Sequence, residues 1–180
     1  MIEALDNLDK QLFYFLNGLH HASLDPLMFA ISGKILWIPL YIFLVYLIVK
    51  EWKKRWYVPL LAVGLAIGAS DIICSQVLKP TTERLRPTRD PEMQDKVHKV
   101  NGYRGGMYSF ASSHASISFA ISLFFHFLFR RKHSWTWLLF IWAIIVAYSR
   151  IYLGVHFPGD IIAGALIGMG FGWLAYRYIT

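Results

Sequence analysis

The stretch Tyr57–Leu78, which reads YVPLLAVGLAIGASDIICSQVL, carries one charged residue, Asp71, in 22 positions. A helix needs about 20 apolar residues to cross the hydrocarbon core of a bilayer, so the stretch predicts a membrane-spanning helix. Asp71 should face the bundle interior and pair with a cation or a hydroxyl, because lipid disfavours a lone carboxylate. Four other stretches are mostly apolar and predict further spans: Ile35–Val49, Tyr108–Phe129, Trp135–Leu153 and Ile161–Ile179.

The composition supports the same fold class. In the whole chain 56% of the residues are hydrophobic and 16% are charged, which is typical of a small integral membrane protein. The sequence therefore predicts an all-α, polytopic membrane bundle that forms a single domain, residues 1–180.

The number of membrane helices depends on the N-terminal part of the chain. Ile35–Val49 is short for a span but becomes long enough when it is joined to Leu27–Ser32. Gly33-Lys34 between them is either a kink in one tilted helix or a break between two elements, because Gly weakens a helix. An insertion from Leu12 through Ser32 would give six membrane helices rather than five. Residues 1–21 mix apolar and acidic residues and predict an amphipathic helix in the membrane interface.

Basic residues predict the orientation of the bundle. Lys50–Arg55, Arg130–Lys132 and Arg177 fall on one side if the spans alternate, and the positive-inside rule assigns that side to the cytoplasm. The connection 79–107, on the other side, holds seven Lys or Arg residues against four acidic ones. We expect this loop to lie externally, over a site for anions. The alternative is a solvated face that contacts anionic headgroups, and it is the expectation for Arg84, Arg89, Lys96 and Lys99.

Polar residues near the outer ends of the predicted spans indicate a phosphate site. His156 and Asp160 lie four residues apart beside Pro158, which suits the first turn of a helix, so both side chains should share one face. Asp160 can then fix the imidazole tautomer and leave the other ring nitrogen free to attack phosphorus. Arg150, at the outer end of the preceding span, offers a planar guanidinium for two phosphoryl oxygens.

Two further groups complete the predicted site. Ser112, Ser113 and His114 fall near the start of an inward-running helix, where backbone N–H groups attract anions. His114 could donate a proton to the leaving oxygen, whereas either serine could instead be only a helix cap. Lys79 and Arg86 add two fixed positive charges near the outer end of the second span.

These groups resemble the three signature motifs of the type 2 phosphatidic acid phosphatase superfamily. The first motif, within Lys79–Pro87, and the third, within Ser149–Asp160, match the family in residue types and in spacing. The second departs from it, since the family usually has Pro-Ser-Gly-His and this chain has Ala-Ser-Ser-His at Ala111–His114. Together with the spans, the resemblance covers most of Leu24–Ile179.

The resemblance implies a metal-independent membrane phosphatase that needs no cofactor. Carried over by position, His156 attacks phosphorus, Asp160 orients it, and His114 protonates the departing group. Water then hydrolyses the phosphohistidine. The residues implied to hold the phosphoryl oxygens are Lys79, Arg86, Ser112, Ser113 and Arg150.

A site at the outer membrane surface predicts a lipid phosphate or diphosphate as substrate, because its tail can stay in hydrocarbon. We expect undecaprenyl diphosphate, with phosphatidylglycerophosphate, phosphatidic acid or lipid A phosphates as alternatives. The expected location is a bacterial inner membrane with the site facing the periplasm. Membrane lipids are the other expected contacts, no nucleic acid is expected, and the sequence defines no oligomeric state. The spans disfavour a vanadate-dependent haloperoxidase, and the histidines disfavour a non-catalytic lipid carrier or scramblase.

Overall fold

The computed structural model describes residues 2–180, and their regular secondary structure is helical apart from one antiparallel bridge between Leu85 and Tyr108. This confirms the predicted all-α class. A π-helical segment, Ile73–Leu78, joins the fourth helix to the fifth, so these two form one continuous rod. The helices are α1 Ile2–Gly18, α2 Asp25–Ser32, α3 Ile38–Trp52, α4 Tyr57–Ile72, α5 Lys79–Thr82, α6 Ser113–Phe129, α7 Leu138–Tyr152 and α8 Pro158–Ile179.

Four helical segments are long and apolar enough to cross a membrane: Ile35–Arg55, Tyr57–Thr82, Ser134–Tyr152 and Pro158–Ile179. The span expected from Tyr108 begins only at Ser113, so the prediction is wrong for its first five residues. Tyr108 pairs with Leu85, and the amide of Ser109 donates to the carbonyl of Arg84 at 2.8 Å. These apolar residues therefore belong to the loop. The 17 residues of α6 span about 26 Å at 1.5 Å per residue.

Helix α6 occupies the centre of the bundle and packs against α4, α7 and α8. Gly164, Gly168 and Gly172 repeat every four residues along α8 and face backbone atoms of Ser112, Ser116 and Ala120. A Cβ atom at any of the three would overlap a carbonyl oxygen of α6, so small residues are what allow the two backbones to approach. The close approach brings the N-termini of α6 and α8 together.

The chain breaks between α2 and α3. Gly33 is extended, with φ −80° and ψ 157°, and the α-helix resumes at Ile38 after the 3-10 turn Ile35–Trp37. Gly33-Lys34 thus separates two elements and does not kink one helix. The separated α2 packs against α7, which positions Ser32 beside Arg150.

Helix α1 docks on the end of the bundle that carries Lys79 and His156, which we call the outer end. Phe13 is fully buried and contacts the ring of Phe157 at 5.4 Å between centroids. The side-chain amide of Asn17 donates to the carbonyl oxygens of Ile151 and Tyr152 at 3.0 and 2.9 Å. Leu5, Leu8 and Leu12 of the same helix stay exposed. The helix therefore has one face on the protein and one apolar face available to lipid.

Two basic loops meet at the other end of the bundle. Glu51 pairs with Lys132, and a carboxylate oxygen of Glu51 lies 3.8 Å from Nε2 of His133. The loops 50–55 and 130–132 therefore lie on one side, as the charge pattern predicts. Since α6 runs from Ser113 to Phe129, the candidate site residues lie at the opposite end.

Candidate active site

Lys79, Arg86 and Arg150 form a group of cations at the outer end of the bundle, which we call the cationic cage. Nζ of Lys79 donates to Oγ of Ser113 at 3.3 Å, which connects the first and second predicted motifs. Among the ion pairs of residues 2–180, none joins a carboxylate to any of these three side chains. Three cations without acidic partners form a site suited to an anion.

Arg150 is only 3% exposed and is held by residues that the sequence did not single out. Its guanidinium donates to Oγ of Ser32 and, at 3.3 Å, to the hydroxyl of Tyr103. Ser32 comes from α2 and Tyr103 from the long loop, so neither is near Arg150 in sequence. The Nε of Arg150 is buried without a hydrogen-bond partner in the described chain.

Arg86 is held by the loop that carries it. Its Nε donates to the carbonyl oxygen of Tyr108 at 3.0 Å, and its Nη1 is buried without a partner among residues 2–180. Gly105 has φ +64°, and a Cβ at this position would overlap the guanidinium. Gly105 is thus required both by the backbone conformation and by the space that Arg86 occupies.

The charges of the cage act on one another. Burial, and then the charge of Arg150, lower the pKa of Arg86 to about 10. Burial raises the pKa of the Tyr103 phenol, but Arg150 and Arg86 more than offset this, so its pKa is lowered overall. Both directions indicate a strongly positive potential between the long loop and α7, where a phosphate would be stabilised.

His156 and Asp160 lie together, as their spacing predicts. Nδ1 of His156 is 3.4 Å from Oδ2 of Asp160, but the geometry is not that of a hydrogen bond, and Nδ1 has no partner in the described chain. Asp160 instead accepts the amide of Phe157 at 2.8 Å. Burial, followed by the charges of Arg86, Arg150 and Lys79, holds the pKa of His156 well below its usual value. The imidazole is therefore neutral, as a nucleophile must be.

The structure contradicts the prediction that the sequence makes for Arg84. The solvated-face interpretation is wrong for this residue, whose side chain is 23% exposed and ion-paired to three carboxylates. It donates to Oδ1 of Asp160 at 2.9 Å, to Asp9 at 2.8 Å and to Asp6 at 3.1 Å. Lys96, by contrast, is exposed. We call Arg84, Asp6, Asp9 and Asp160 the acid-paired cluster.

The second predicted motif forms the start of α6. Ser112 is its N-cap, with Oγ accepting the amide of Ala115 at 3.5 Å. The amide of Ser112 donates to the carbonyl of Asp160 at 3.0 Å, which links the second motif to the third. Ser112 therefore has a structural task whether or not its hydroxyl also contacts a ligand. His114, the second residue of the helix, is half-buried.

A cavity of about 350 Å³ begins at Ser113 and His114 and continues into the bundle. Trp37, Ile117 and Trp142 make part of its apolar wall, while Asp71 and Lys34 also line it. The carboxylate of Asp71 has no hydrogen-bond or ion-pair partner within residues 2–180, although the sequence predicts one. The cavity thus begins beside the cage, at Ser113 and Ser32, which contact Lys79 and Arg150, and continues to an apolar interior.

Comparisons with known proteins agree with this arrangement. Residues 35–180 match the PAP2 superfamily. The lipid A 4'-phosphatase of Bacteroides thetaiotaomicron is 42% identical over 184 residues, covering 98% of this chain and 79% of that protein. That of Porphyromonas gingivalis is 38% identical over 180 residues, covering 98% and 75%. The crystal structure of Aquifex aeolicus LpxE has a TM-score of 0.73 and 26% identity, covering 95% of this chain and 96% of that one.

An all-helical, multi-pass bundle with this similarity defines a membrane hydrolase that acts on phosphoester groups. The chain belongs to the PAP2 superfamily and is a membrane lipid phosphatase of that type. In residues 2–180 no three His, Cys, Asp or Glu side chains are grouped so that they could hold a metal ion. That the enzyme works without metal stays a prediction.

Proposed function

We propose that this membrane phosphatase removes the 4'-phosphate of lipid A, a phosphate ester of an acylated sugar. The observation that carries the proposal is similarity over nearly the whole chain to two proteins named for that activity. Of the relatives named undecaprenyl-diphosphatase, one is 30% identical over 92% of the chain, and two match only 34% and 39% of it. Undecaprenyl diphosphate, the substrate first expected from the sequence, therefore becomes the alternative.

The cavity beside His114 supports the same choice. The leaving group of a sugar phosphate is a neutral hydroxyl on a polar ring with apolar chains, and the cavity offers a carboxylate, an ammonium group and apolar walls. The leaving group of a diphosphate is itself a phosphate. Its negative charge would lie towards Asp71, whose carboxylate is unpaired in the described chain, and like charges at short range are unfavourable.

The mechanism we propose assigns the chemistry to His156, Asp160 and His114. Nε2 of His156 attacks phosphorus while the bond from phosphorus to the sugar oxygen breaks, and His114 gives that oxygen its proton. Asp160 faces Nδ1 and stabilises the imidazolium that forms. His114 then takes a proton from water, which attacks the phosphohistidine, releases inorganic phosphate and restores His156.

The cage holds the transferring group in this mechanism. Lys79, Arg86 and Arg150 donate to the phosphoryl oxygens, with Ser112 and Ser113 as further donors. Fixed cations in a water-poor site stabilise the charge of the five-coordinate transition state, a contribution of about 3–4 kcal/mol per donor in comparable sites. Residues 1–180 act as one catalytic domain, in which the loop 79–107 covers the site.

We place the site on the periplasmic side of a bacterial inner membrane, where it meets lipids of the outer leaflet. The basic loops at the other end of the bundle support this orientation. The test uses single cysteines at positions 95 and 132 in a Cys74→Ser background, labelled in intact spheroplasts with an impermeant thiol reagent. Labelling at position 95 alone is expected. Labelling at position 132 alone would invert the topology.

The substrate is tested with purified, full-length protein in detergent. Phosphate release is measured from lipid A, undecaprenyl diphosphate, phosphatidic acid and phosphatidylglycerophosphate, and mass spectrometry identifies which lipid A phosphate is lost. We expect kcat/KM for the 4'-phosphate to exceed the others by about tenfold or more. A preference for undecaprenyl diphosphate would reject lipid A as substrate while leaving the phosphatase assignment intact.

A further inference from the structure

Helix α1 contacts the N-terminus of α8, the element that carries Asp160 and follows His156. Oδ1 of Asp9 accepts the amide of Gly159 at 2.7 Å, and a Cβ on Gly159 would lie 2.8 Å from Oδ2 of Asp9. Asp9 therefore caps an amide in the first turn of a helix that lies about 150 positions further along the chain.

The same carboxylate reaches Asp160 through Arg84. Oδ2 of Asp9 accepts from Arg84 at 2.8 Å, and the other terminal nitrogen of Arg84 donates to Oδ1 of Asp160 at 2.9 Å. The guanidinium also lies over the Phe157 ring, 4.1 Å from its centroid. Asp160 is fully buried and the side chain of Asp9 is 14% exposed, so these are short contacts with little solvent screening.

The contacts of Asp160 show how these ion pairs can fix the orientation of its carboxylate. Its Oδ2 accepts the Phe157 amide and lies 3.4 Å from Nδ1 of His156, while its Oδ1 is held by Arg84. Rotation of the carboxylate towards or away from the imidazole is therefore opposed by Arg84. The position of Arg84 is fixed in turn by Asp9, and more weakly by the exposed Asp6.

We propose that α1 is a positioning element of the phosphatase, in which Asp9 and Arg84 set the orientation of Asp160 towards His156. The inference rests on the proposed roles of His156 and Asp160. Neither Asp9 nor Arg84 touches the substrate. Their effect is on how well Asp160 stabilises the imidazolium, so their loss should lower kcat and leave KM nearly unchanged.

Asp9 can be changed without undocking α1. Phe13 stays buried against Phe157, and Asn17 keeps its hydrogen bonds to the carbonyls of Ile151 and Tyr152. Alanine also favours a helix. Glu3 provides a matched control, because it is an exposed acid on the same helix with no ion pair in the described chain.

The experiment measures kcat and KM of full-length protein for dioctanoyl phosphatidate in detergent, with thermal unfolding as the stability measurement. We expect Asp9→Ala and Arg84→Gln to lower kcat by about 10- to 100-fold, since small misplacements of a reacting group have effects of this size. Glu3→Ala should keep wild-type kcat. If Asp9→Ala does not fold, Asp9→Asn replaces it, because asparagine keeps the size of the side chain. We expect Asp9→Asn to lower kcat less than Asp9→Ala does.

The decisive comparison is made in an Asp160→Asn background. If Asp9 acts through Asp160, then Asp9→Ala or Asp9→Asn causes less than about a twofold further loss there. Equal losses in both backgrounds, or equal kcat for Asp9→Ala and Glu3→Ala, would overturn the inference. A wild-type protein that folds but releases no phosphate from either dioctanoyl phosphatidate or lipid A would refute the proposed phosphatase mechanism itself, which is a different result.

Discussion

Two groups of charges at the outer end of the bundle differ in whether their cations have acidic partners within residues 2–180. In the acid-paired cluster, Arg84 contacts three carboxylates at 2.8–3.1 Å. In the cationic cage, three buried or half-buried cations have no acidic partner within residues 2–180. Arg84 and Arg86 are only two residues apart, so local sequence does not separate them.

The difference teaches how to distinguish a structural cation from a ligand-binding one. A buried charge destabilises a protein unless it is paired, and Arg84 meets that requirement within the chain. The three cations of the cage have no such partner within residues 2–180, as we expect of a site that binds an anion from outside the chain. Substitutions in the cage should therefore lower activity with little change in stability, whereas substitution of Arg84 should lower both.

The largest expected effect comes from removing His156, the proposed nucleophile beside the cage. His156→Ala should abolish turnover, because no neighbouring group can replace the attacking nitrogen. The cage itself stays intact, so inorganic phosphate should still raise the Tm of the variant. The measurements are phosphate release and thermal unfolding with and without phosphate. Substantial residual turnover would remove His156 from its proposed role.

The next prediction compares Arg86→Gln with Arg84→Gln. Losing a cage cation should lower kcat by about 100- to 1,000-fold, with a change in unfolding free energy below about 1 kcal/mol because the lost charge had no partner. Losing Arg84 leaves Asp160 buried without its cation, so we expect a destabilisation of about 2–4 kcal/mol together with lower activity.

Thermal unfolding and steady-state rates of the two purified variants check this comparison. Lys96→Gln, which removes an exposed charge from the same loop, serves as a control for loop integrity. A larger loss of stability for Arg86→Gln than for Arg84→Gln would contradict the distinction between the cage and the acid-paired cluster.

The sequence identifies the three cations of the cage as candidate site residues, because cations and histidines at the ends of apolar spans are rare without a use. Lys79, Arg86 and Arg150 were found in this way. Ser32 and Tyr103, which hold Arg150, carry no such signal. Both residues contact Arg150 from positions that lie 118 and 47 residues away from it in the sequence.

The remaining differences between the sequence-based predictions and the structure have similar causes. Hydropathy extends the third span to Tyr108 because tyrosine, phenylalanine and alanine are apolar, whereas pairing with Leu85 assigns these residues to the loop. For Arg84, the sequence shows a basic loop residue, but its partners Asp6 and Asp9 come from α1, more than 70 positions away. A local sequence pattern does not predict an ion pair between residues that are so far apart in the chain.

A smaller effect should appear in the pH dependence. Burial and then Arg86, Arg150 and Lys79 keep the pKa of His156 well below its usual value, which is about 6.5. Arg86→Gln removes one of these charges, so imidazolium becomes less unfavourable and the pKa rises. A protonated imidazole cannot attack, and the acid limb of kcat/KM should move to higher pH by about one unit.

The pH profile is measured for wild type and variant on one substrate, so that ionisation of the substrate is common to both. The other charges near His156 are unchanged; they are those of Arg150, Lys79, Arg84 and Asp160. Removing a paired cation should act differently, because Arg84→Gln leaves the charge of Asp160 uncompensated. An acid limb that stays in place, or moves to lower pH, in Arg86→Gln would contradict the proposed influence of the cage on His156.

The smallest expected effect concerns Asp71, the acid that the cage does not pair. Its carboxylate lines the leaving-group cavity, where a diphosphate would place a second negative charge. Asp71→Asn keeps the size and removes the charge, so kcat/KM for undecaprenyl diphosphate should rise relative to lipid A by about fivefold. Lys34→Gln removes the cation of the same cavity and should move the ratio in the opposite direction. An unchanged ratio in both variants would show that the cavity does not select the leaving group by charge.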